Sequence, residues 1–182
     1  MLIRKVSVFL HATFHTQVRC TQANETMKIE KANRTDANKI TDLTIRSKDF
    51  WNYGAEQIAQ WKDDLTITSE YIDKNEVFKL SIEKEIIGFY AFNSENKSTV
   101  KLNFLFVEPN FIGKGYGKIL LNDFLKRMNE TDYEKVTLDA DPNAEQFYAQ
   151  VGFKVVGKLK SSIKDRYLPI MEKEIKPAYN TV

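Results

Sequence analysis

Apolar and polar residues alternate along the chain in two periods, and the changes of period mark the predicted elements. A period of two predicts a short strand over residues 27–32. The spacing then becomes helical, and Thr35 or Asp36 is the expected cap of a helix that runs towards Lys48. A second helical pattern covers residues 55–65.

Three strand-like segments follow, at residues 77–82, 86–93 and 100–107. The polar turns between them, residues 83–85 and 94–98, are short enough for antiparallel hairpins. These segments therefore predict a three-stranded meander.

The second half of the chain alternates strands with helices. A long amphipathic helix is predicted from Gly115 to about Met128, and a short helix over residues 143–150. The remaining strands are predicted at residues 136–138, 153–157 and 168–175. A meander followed by this alternation predicts an α+β fold with helices on the faces of the sheet.

The charge balance limits the classes of partner. The 182 residues include 27 Lys and Arg against 25 Asp and Glu, a net charge of only +2. A dedicated nucleic-acid binder would be far more basic, so we expect neither nucleic acid nor an anionic membrane as a partner. An apolar run of the roughly 18 residues that a transmembrane helix needs is absent from the sequence.

The scarce residues limit the chemistry further. His11, His15 and Cys20 lie in the first 20 positions, and residues 27–182 contain neither His nor Cys. We therefore expect no Cys- or His-based metal site, no disulfide and no Ser-His or Cys-His catalytic pair in the body of the protein. Proton transfer there would fall to carboxylates, Tyr, Lys, a terminal amine or water.

The chain divides into residues 1–26, an N-terminal extension of unclear role, and a domain over residues 27–182. The extension has no acidic residue before Glu25, but it lacks a convincing cleavage site, so we expect a cytoplasmic protein. A non-catalytic extension or an early start codon explains it, and an extra strand at residues 6–9 is the alternative.

A glycine-rich loop carries the first indication of chemistry. Gly113, Gly115 and Gly117 are three of only seven glycines, and they lie between a predicted strand and a predicted helix. Such a backbone curls tightly, and the helix N-terminus attracts anions, with Lys114 and Lys118 adding positive charge. The loop predicts a phosphate or pyrophosphate cradle, with a ligand-free turn as the alternative.

Two well-known phosphate loops are excluded by spacing. A P-loop needs four residues after its first glycine, but three separate Gly113 from Gly117, and Ile119 replaces the hydroxyl that binds magnesium. A dinucleotide fingerprint would need a glycine at Lys118.

Two motifs in order, about 30 residues apart, carry a family resemblance. Residues 112–117 fit the pattern Arg or Gln, two residues, Gly, one residue, Gly or Ala, except that Ile112 takes the first position. Residues 141–153 are similar to an Asn-Ala, aromatic-Tyr, three residues, Gly-Phe segment. With its element order, the sequence resembles the GNAT superfamily of N-acetyltransferases over nearly all of residues 27–182.

The resemblance implies a GNAT-type mixed, mostly antiparallel sheet flanked by helices on both faces. It also implies an acetyl-CoA-dependent N-acetyltransferase that transfers the acetyl group to a primary amine by direct attack in a ternary complex. Acetyl-CoA would be the acyl donor, and no metal would take part. The residues implied to bind it are Phe106, Val107, Gly113, Lys114, Gly115, Tyr116, Gly117, Lys118, Asn143 and Phe147.

The resemblance places Tyr148 as the general acid near the CoA sulfur, although Tyr148 could also simply pack its helix on the sheet. Asn143 could cap that helix or bind the pantetheine. The base stays open. Some relatives carry a glutamate on the strand before the loop, at the position that Lys101 takes here with Asn103 beside it. Neither residue can be assigned as the base, so we expect a chain of water that ends in a carboxylate.

The acceptor is expected to be a small-molecule or peptide amine, and the protein a monomer or homodimer. Trp51 and Tyr53 are candidate substrate contacts because aromatic faces can cover an amine, whereas Trp61 is expected in the core. A non-catalytic acyl-CoA-binding or sensor module of the same fold is the alternative function.

Overall fold

The predicted meander and the alternating second half form one seven-stranded sheet in the order β1-β2-β3-β4-β5-β7-β6. The computed structural model describes residues 26–175. The pairings are antiparallel except that of β4 with β5, as the fold class predicted. The strands are β1 (Met27–Lys31), β2 (Glu76–Ile82), β3 (Glu85–Ser94), β4 (Thr99–Val107), β5 (Lys135–Asp139), β6 (Lys154–Lys160) and β7 (Tyr167–Glu174).

Helices cover both faces of this sheet. They are α1 (Ala37–Asp49), α2 (Ala55–Gln60), α3 (Lys62–Leu65), α4 (Ser69–Lys74), α5 (Tyr116–Asn129) and α6 (Glu145–Ala149). On one face, Ile40 and Leu43 of α1 pack with Phe89, Phe104 and Phe106. Residues of α5 and α6 join an apolar cluster on the other face. No helix within residues 26–175 is long and apolar enough to cross a membrane.

A β-bulge in β4 changes which side chains meet each helix. The register between β3 and β4 shifts so that Asn103 is the extra residue. Before the bulge Leu102 faces the α5 side, and after it Leu105 faces that side while Phe104 faces α1. One inserted residue reverses the alternation, because side chains repeat every two positions.

Three local predictions differ from the structure. Asp36 occupies the cap position of α1, as predicted, but its carboxylate makes no cap bond in that helix. It accepts the Asn33 N–H at 2.9 Å instead, in a capping box across the short 3₁₀ turn that precedes α1. The helix predicted over residues 55–65 is two helices, because Trp61 leaves helical geometry while its indole is buried and donates to Ser162 Oγ at 2.9 Å. Helix α4, capped by Thr68, was not predicted. Residues 1–25 of the predicted extension lie outside the described residues.

Candidate functional site

The only parallel pairing in the described sheet opens into a gap. Strands β4 and β5 pair only where Thr99–Lys101 faces Lys135–Thr137. Residues 102–107 continue β4 and pair with β3 on the other side, so no strand within residues 26–175 pairs with their second edge. Phe106 and Val107 bury their side chains on opposite faces of the sheet, which leaves the main chain of this edge to bind an extended ligand.

The glycine-rich loop begins where this edge ends. The Glu108 N–H donates to the Ile87 carbonyl at 2.8 Å, and a 3₁₀ turn over Pro109–Phe111 leads into the glycines. Gly113 and Gly115 have φ angles of 78° and 90°, a left-handed conformation that side chains resist. A Cβ at either glycine would meet nothing within 4 Å, so the backbone angle rather than space requires glycine.

Helix α5 starts from this loop with its first amides unclaimed by any side chain. Gly115 occupies the cap position and makes no side-chain cap bond. The N–H groups of the first turn have no acceptor within the helix and carry the positive end of its dipole, so they suit an anion.

Two of the side chains around the N-terminus of α5 are exposed lysines, and two pack against the core. Lys114 and Lys118 are exposed, and Lys114 Nζ lies 5.6 Å from the centre of the Phe111 ring. Tyr116 packs edge-to-face on Phe111 at 5.4 Å. Ile112, which stands where an Arg or Gln was expected, packs against the core. The loop thus offers backbone amides and two lysines to a polyphosphate.

Helix α6 carries a buried hydroxyl, that of Tyr148, on the face of the sheet that α5 also covers. Tyr148 is fully buried, its ring lies 5.0 Å from that of Phe147 and 5.6 Å from that of Phe153, and its hydroxyl has no hydrogen-bond partner within residues 26–175. Burial, and secondarily the Asp141 carboxylate, raise the pKa of Tyr148 well above 10.0. The phenol therefore keeps its proton at neutral pH and has an O–H available to donate.

The turn before α6 is capped differently from the prediction. Asp141 Oδ1 accepts the Asn143 N–H at 3.1 Å, so the expected cap role of Asn143 is wrong. The preceding aspartate performs it, because its side chain reaches forward by two residues in an Asx arrangement. Asn143 itself is exposed, which leaves its side chain available to a ligand.

Asp141 also lies at the centre of a buried polar network that the sequence did not reveal. Lys48 Nζ contacts Asp141 Oδ2 at 2.9 Å, and neither side chain is exposed to solvent. The Tyr53 hydroxyl donates to the same oxygen at 2.6 Å. Arg166 donates to Asp141 Oδ1 at 2.9 Å and also to the Tyr53 hydroxyl. The network joins α1, the segment before α2, and the β6–β7 connection.

The charges in this network stabilise one another. Burial raises the pKa of Asp141, but Lys48, Tyr53 and Arg166 outweigh it and lower the pKa to about 2. Burial lowers the pKa of Lys48, and the carboxylate opposes that effect. Lys48 Nζ also lies 5.1 Å from the ring centre of Tyr53 and 5.7 Å from that of Trp61. Four residues after the buried Thr44, Lys48 continues the buried face of α1, which is the signal that could have identified it.

The structure separates the predicted acceptor contacts. Tyr53 is half-buried and belongs to the network through its hydroxyl, and its ring packs on Trp61 at 5.0 Å. Trp51 is half-buried and packs edge-to-face on the exposed Phe50 at 5.1 Å. Trp61 is 1% exposed, which confirms its expected place in the core.

Two charged positions bear on which group accepts the proton of the acceptor amine. Glu108 is held by two bonds from Arg46, at 2.8 and 2.9 Å. Lys101, at the position of the glutamate that some relatives carry, contacts Asp139 at 2.8 Å.

Within residues 26–175 no group of three or more His, Cys, Asp or Glu could hold a metal ion.

The divergent strands, the glycine-rich loop and α6 are found together in a known protein family. A family model described as "Acetyltransferase (GNAT) domain" matches residues 51–174, from the end of α1 to the end of β7. The chain belongs to the GNAT acetyltransferase family. The match spans the divergent strands, the loop and α6, so these features are parts of a GNAT domain.

Among GNAT relatives, the chain is 27% identical over 92 residues to an uncharacterized N-acetyltransferase, ycf52, of Gracilaria tenuistipitata var. liui, a match that covers 50% of each chain. It is 23% identical over 129 residues to the uncharacterized N-acetyltransferase YafP of Escherichia coli, covering 70% of this chain and 79% of the relative. The chain spans about half the length or less of the ycf52 relatives that it matches.

Solved GNAT structures share the fold. The PaiA N-acetyltransferase of Thermoplasma acidophilum, crystallised with coenzyme A, matches with a TM-score of 0.67 and 21% identity over 82% of this chain and 99% of its own. The ribosomal-protein-S18-alanine N-acetyltransferase of Escherichia coli matches with a TM-score of 0.64 and 16% identity over 86% of this chain and 99% of its own. At these identities the likeness establishes the fold.

Proposed function

We propose that this protein is an acetyl-CoA-dependent N-acetyltransferase that transfers an acetyl group to a primary amine of a small molecule or peptide. The observation that carries the proposal is the combination of a free β4 edge, an uncapped helix N-terminus and the unpartnered Tyr148 hydroxyl on one face of the sheet. GNAT membership and the relatives named as N-acetyltransferases support it.

Each feature suits one part of the donor. The amides of residues 113–118, with Lys114 and Lys118, suit the pyrophosphate. The edge at Phe106 and Val107 suits the amide groups of pantetheine, since peptide-like groups can pair with a strand. Exposed Asn143 and the buried ring of Phe147 flank the arm from the side of α6.

The transfer itself needs three groups. A backbone N–H at the free edge near Val107 polarises the thioester carbonyl. The neutral amine attacks the carbonyl carbon directly, and the C–S bond breaks. Tyr148 then donates its proton to the leaving thiolate, since its phenol is protonated when the thiolate forms.

A non-catalytic acyl-CoA-binding module is the competing function. Ile112 and Lys101 favour it, since the first packs into the core instead of reaching a ligand and the second replaces the expected carboxylate. A thiol-release assay with acetyl-CoA separates the two functions. Its acceptors are spermidine, single amino acids, an aminoglycoside and peptides with a free N-terminus.

We expect amine-dependent thiol release with at least one acceptor. CoA binding with no release by any acceptor would overturn the enzymatic function and favour the binding module. Loss of CoA binding as well would overturn both. Tyr148→Phe serves as the chemical control, since it removes the proposed acid without removing the ring.

A further inference from the structure

A carboxylate lines the gap between β4 and β5 from the β5 side. Asp139 lies two residues beyond Thr137, the last residue of β5 that pairs with β4. It is 8% exposed, and its carboxylate contacts Lys101 Nζ at 2.8 Å. The ion pair therefore spans the point where the two strands part. The chain carries a cation on β4 at this point and the acid on the neighbouring strand.

This carboxylate faces the α1 side of the gap. Val136 and Leu138 belong to the core on the α5 side, so alternation places Thr137 and Asp139 on the opposite face. Asn103 also contributes to this polar side through a hydrogen bond to Asn93. These side chains form a polar stretch on the α1 side of the gap, beside the apolar Phe104 and Phe106 of β4.

The local charge favours a cation. Lys101 lies 2.8 Å from Asp139 and 3.9 Å from Glu95, so one positive and two negative charges leave a net charge of −1. An ammonium ion is attracted to such a group. Lys135 is paired with Glu172. Lys48 and Arg166 share the single carboxylate of Asp141, so that separate network has a net charge of +1.

We propose, on the basis of the acetyltransferase function above, that Asp139 binds the acceptor ammonium and accepts its proton, directly or through one water molecule. The Lys101 ammonium holds the carboxylate in place through the 2.8 Å contact. Asp139 is then a catalytic residue, and Lys101 is a positioning residue.

The protons balance in this scheme. One proton passes from the ammonium to Asp139 and then to solvent, and the neutral amine forms the C–N bond as the C–S bond breaks. The amine nitrogen loses a second proton after attack. That proton balances the one that Tyr148 gives to the thiolate, so the net products are amide, CoA thiol and one released proton.

The test compares Asp139→Asn with Glu172→Gln. The control removes the carboxylate of a second cross-strand ion pair, at 3.1 Å from Lys135, and lies on a strand that does not line the gap. With acetyl-CoA and the best acceptor of the panel, we expect Asp139→Asn to lower kcat/KM by about 10²-fold or more and to remove the acid limb of the pH profile. Glu172→Gln should keep the wild-type kcat/KM and the acid limb of the pH profile. All variants should bind CoA with equal affinity.

Two further measurements separate a proton acceptor from a merely structural ion pair. Hydroxylamine is mainly unprotonated at neutral pH, so it should restore most of the rate to Asp139→Asn. Lys101→Gln removes the positioning cation but keeps the carboxylate. Its loss of kcat/KM should therefore be at least about tenfold smaller than that of Asp139→Asn.

The outcomes are distinct. A wild-type protein that turns over while Asp139→Asn keeps its rate and acid limb would overturn the role of Asp139 and leave the acetyltransferase function standing. Equal losses in Asp139→Asn and Lys101→Gln without hydroxylamine rescue would also overturn it. A wild-type protein with no turnover would overturn both proposals.

Discussion

Replacing Lys48 by Met tests the buried network through the stability of the domain. Methionine has a similar length and is apolar, so it fills the space of the lysine stem while it removes the charge beside Asp141. Lys48 and Asp141 are both fully buried, and their contact is 2.9 Å long. Removing one partner of a buried ion pair costs about 3–5 kcal/mol when the remaining charge has no other partner. Arg166 still donates to Asp141 Oδ1 in this variant, so we expect a loss near the lower end of that range.

The pH dependence of this loss can be worked out from the pKa of Asp141. That pKa is about 2 in the folded protein against 3.8 as the ordinary value, a difference of about 1.8 units. At about 1.36 kcal/mol per pKa unit, the lowered pKa of Asp141 stabilises the fold by roughly 2 kcal/mol. Because the folded pKa is lowered, this stabilisation is present above about pH 4 and is lost as the pH falls towards 2.

Urea unfolding of wild type and Lys48→Met at pH 7, 5 and 3.5 measures both quantities. We expect the difference in free energy of unfolding to be largest at pH 7 and to shrink at pH 3.5, since Asp141 in the variant takes up protons more readily. The control is Lys31→Met. Its ion pair with Glu76 has the same 2.9 Å length but an exposed lysine, so it should cost less than about 1 kcal/mol. Equal losses in the two variants, or a loss for Lys48→Met that does not change with pH, would refute the role given to the network.

Three further changes test the donor site and the sheet. Gly115→Glu should abolish CoA binding in a titration while thermal unfolding shifts no more than for Gly54→Glu, a control glycine that also has positive φ and open space; retained affinity would contradict the cradle. Tyr148→Phe should lower the transfer rate by about 10²–10⁴-fold without lowering the unfolding temperature, because the lost hydroxyl has no partner in the described structure. A stability loss with an unchanged rate would reverse that interpretation. Gly88→Ala should destabilise the domain by about 1–3 kcal/mol in urea, because a Cβ there would lie 2.9 Å from the Phe106 carbonyl oxygen, and an unchanged midpoint would contradict this close packing.

The elements that could be predicted from sequence are those with a regular local period. Helix α5 shows a clear amphipathic pattern, and its predicted bounds from Gly115 to about Met128 differ by one residue at each end from Tyr116–Asn129. The strands of the meander were predicted in the same way. The cradle was also predictable, since clustered glycines before a helix form a local signal.

The remaining features depend on contacts between distant residues. Lys48 and Asp141 are 93 positions apart, so no window of sequence contains both. Lysine is almost never fully buried without a partner, and the partner was not visible. The bulge at Asn103 could not be predicted from a local pattern either, because it is defined by the register of β4 against β3. For the same reason Asp139 could not be paired with Lys101 before the sheet order was known.

The chain from Asp139 to Tyr148 crosses the sheet at the gap, and this path explains how one short segment could serve both sides of a transfer reaction. Asp139 faces the α1 side, where an amine would approach, whereas Ala144 and Tyr148 belong to the core on the α5 side. Asp141 lies between them and holds the turn that opens α6 through the Asn143 N–H. A shift of that turn would move the proposed acid relative to the proposed base. Lys48 and Arg166, which hold Asp141, therefore restrain the distance between the two groups on which the proposed transfer depends.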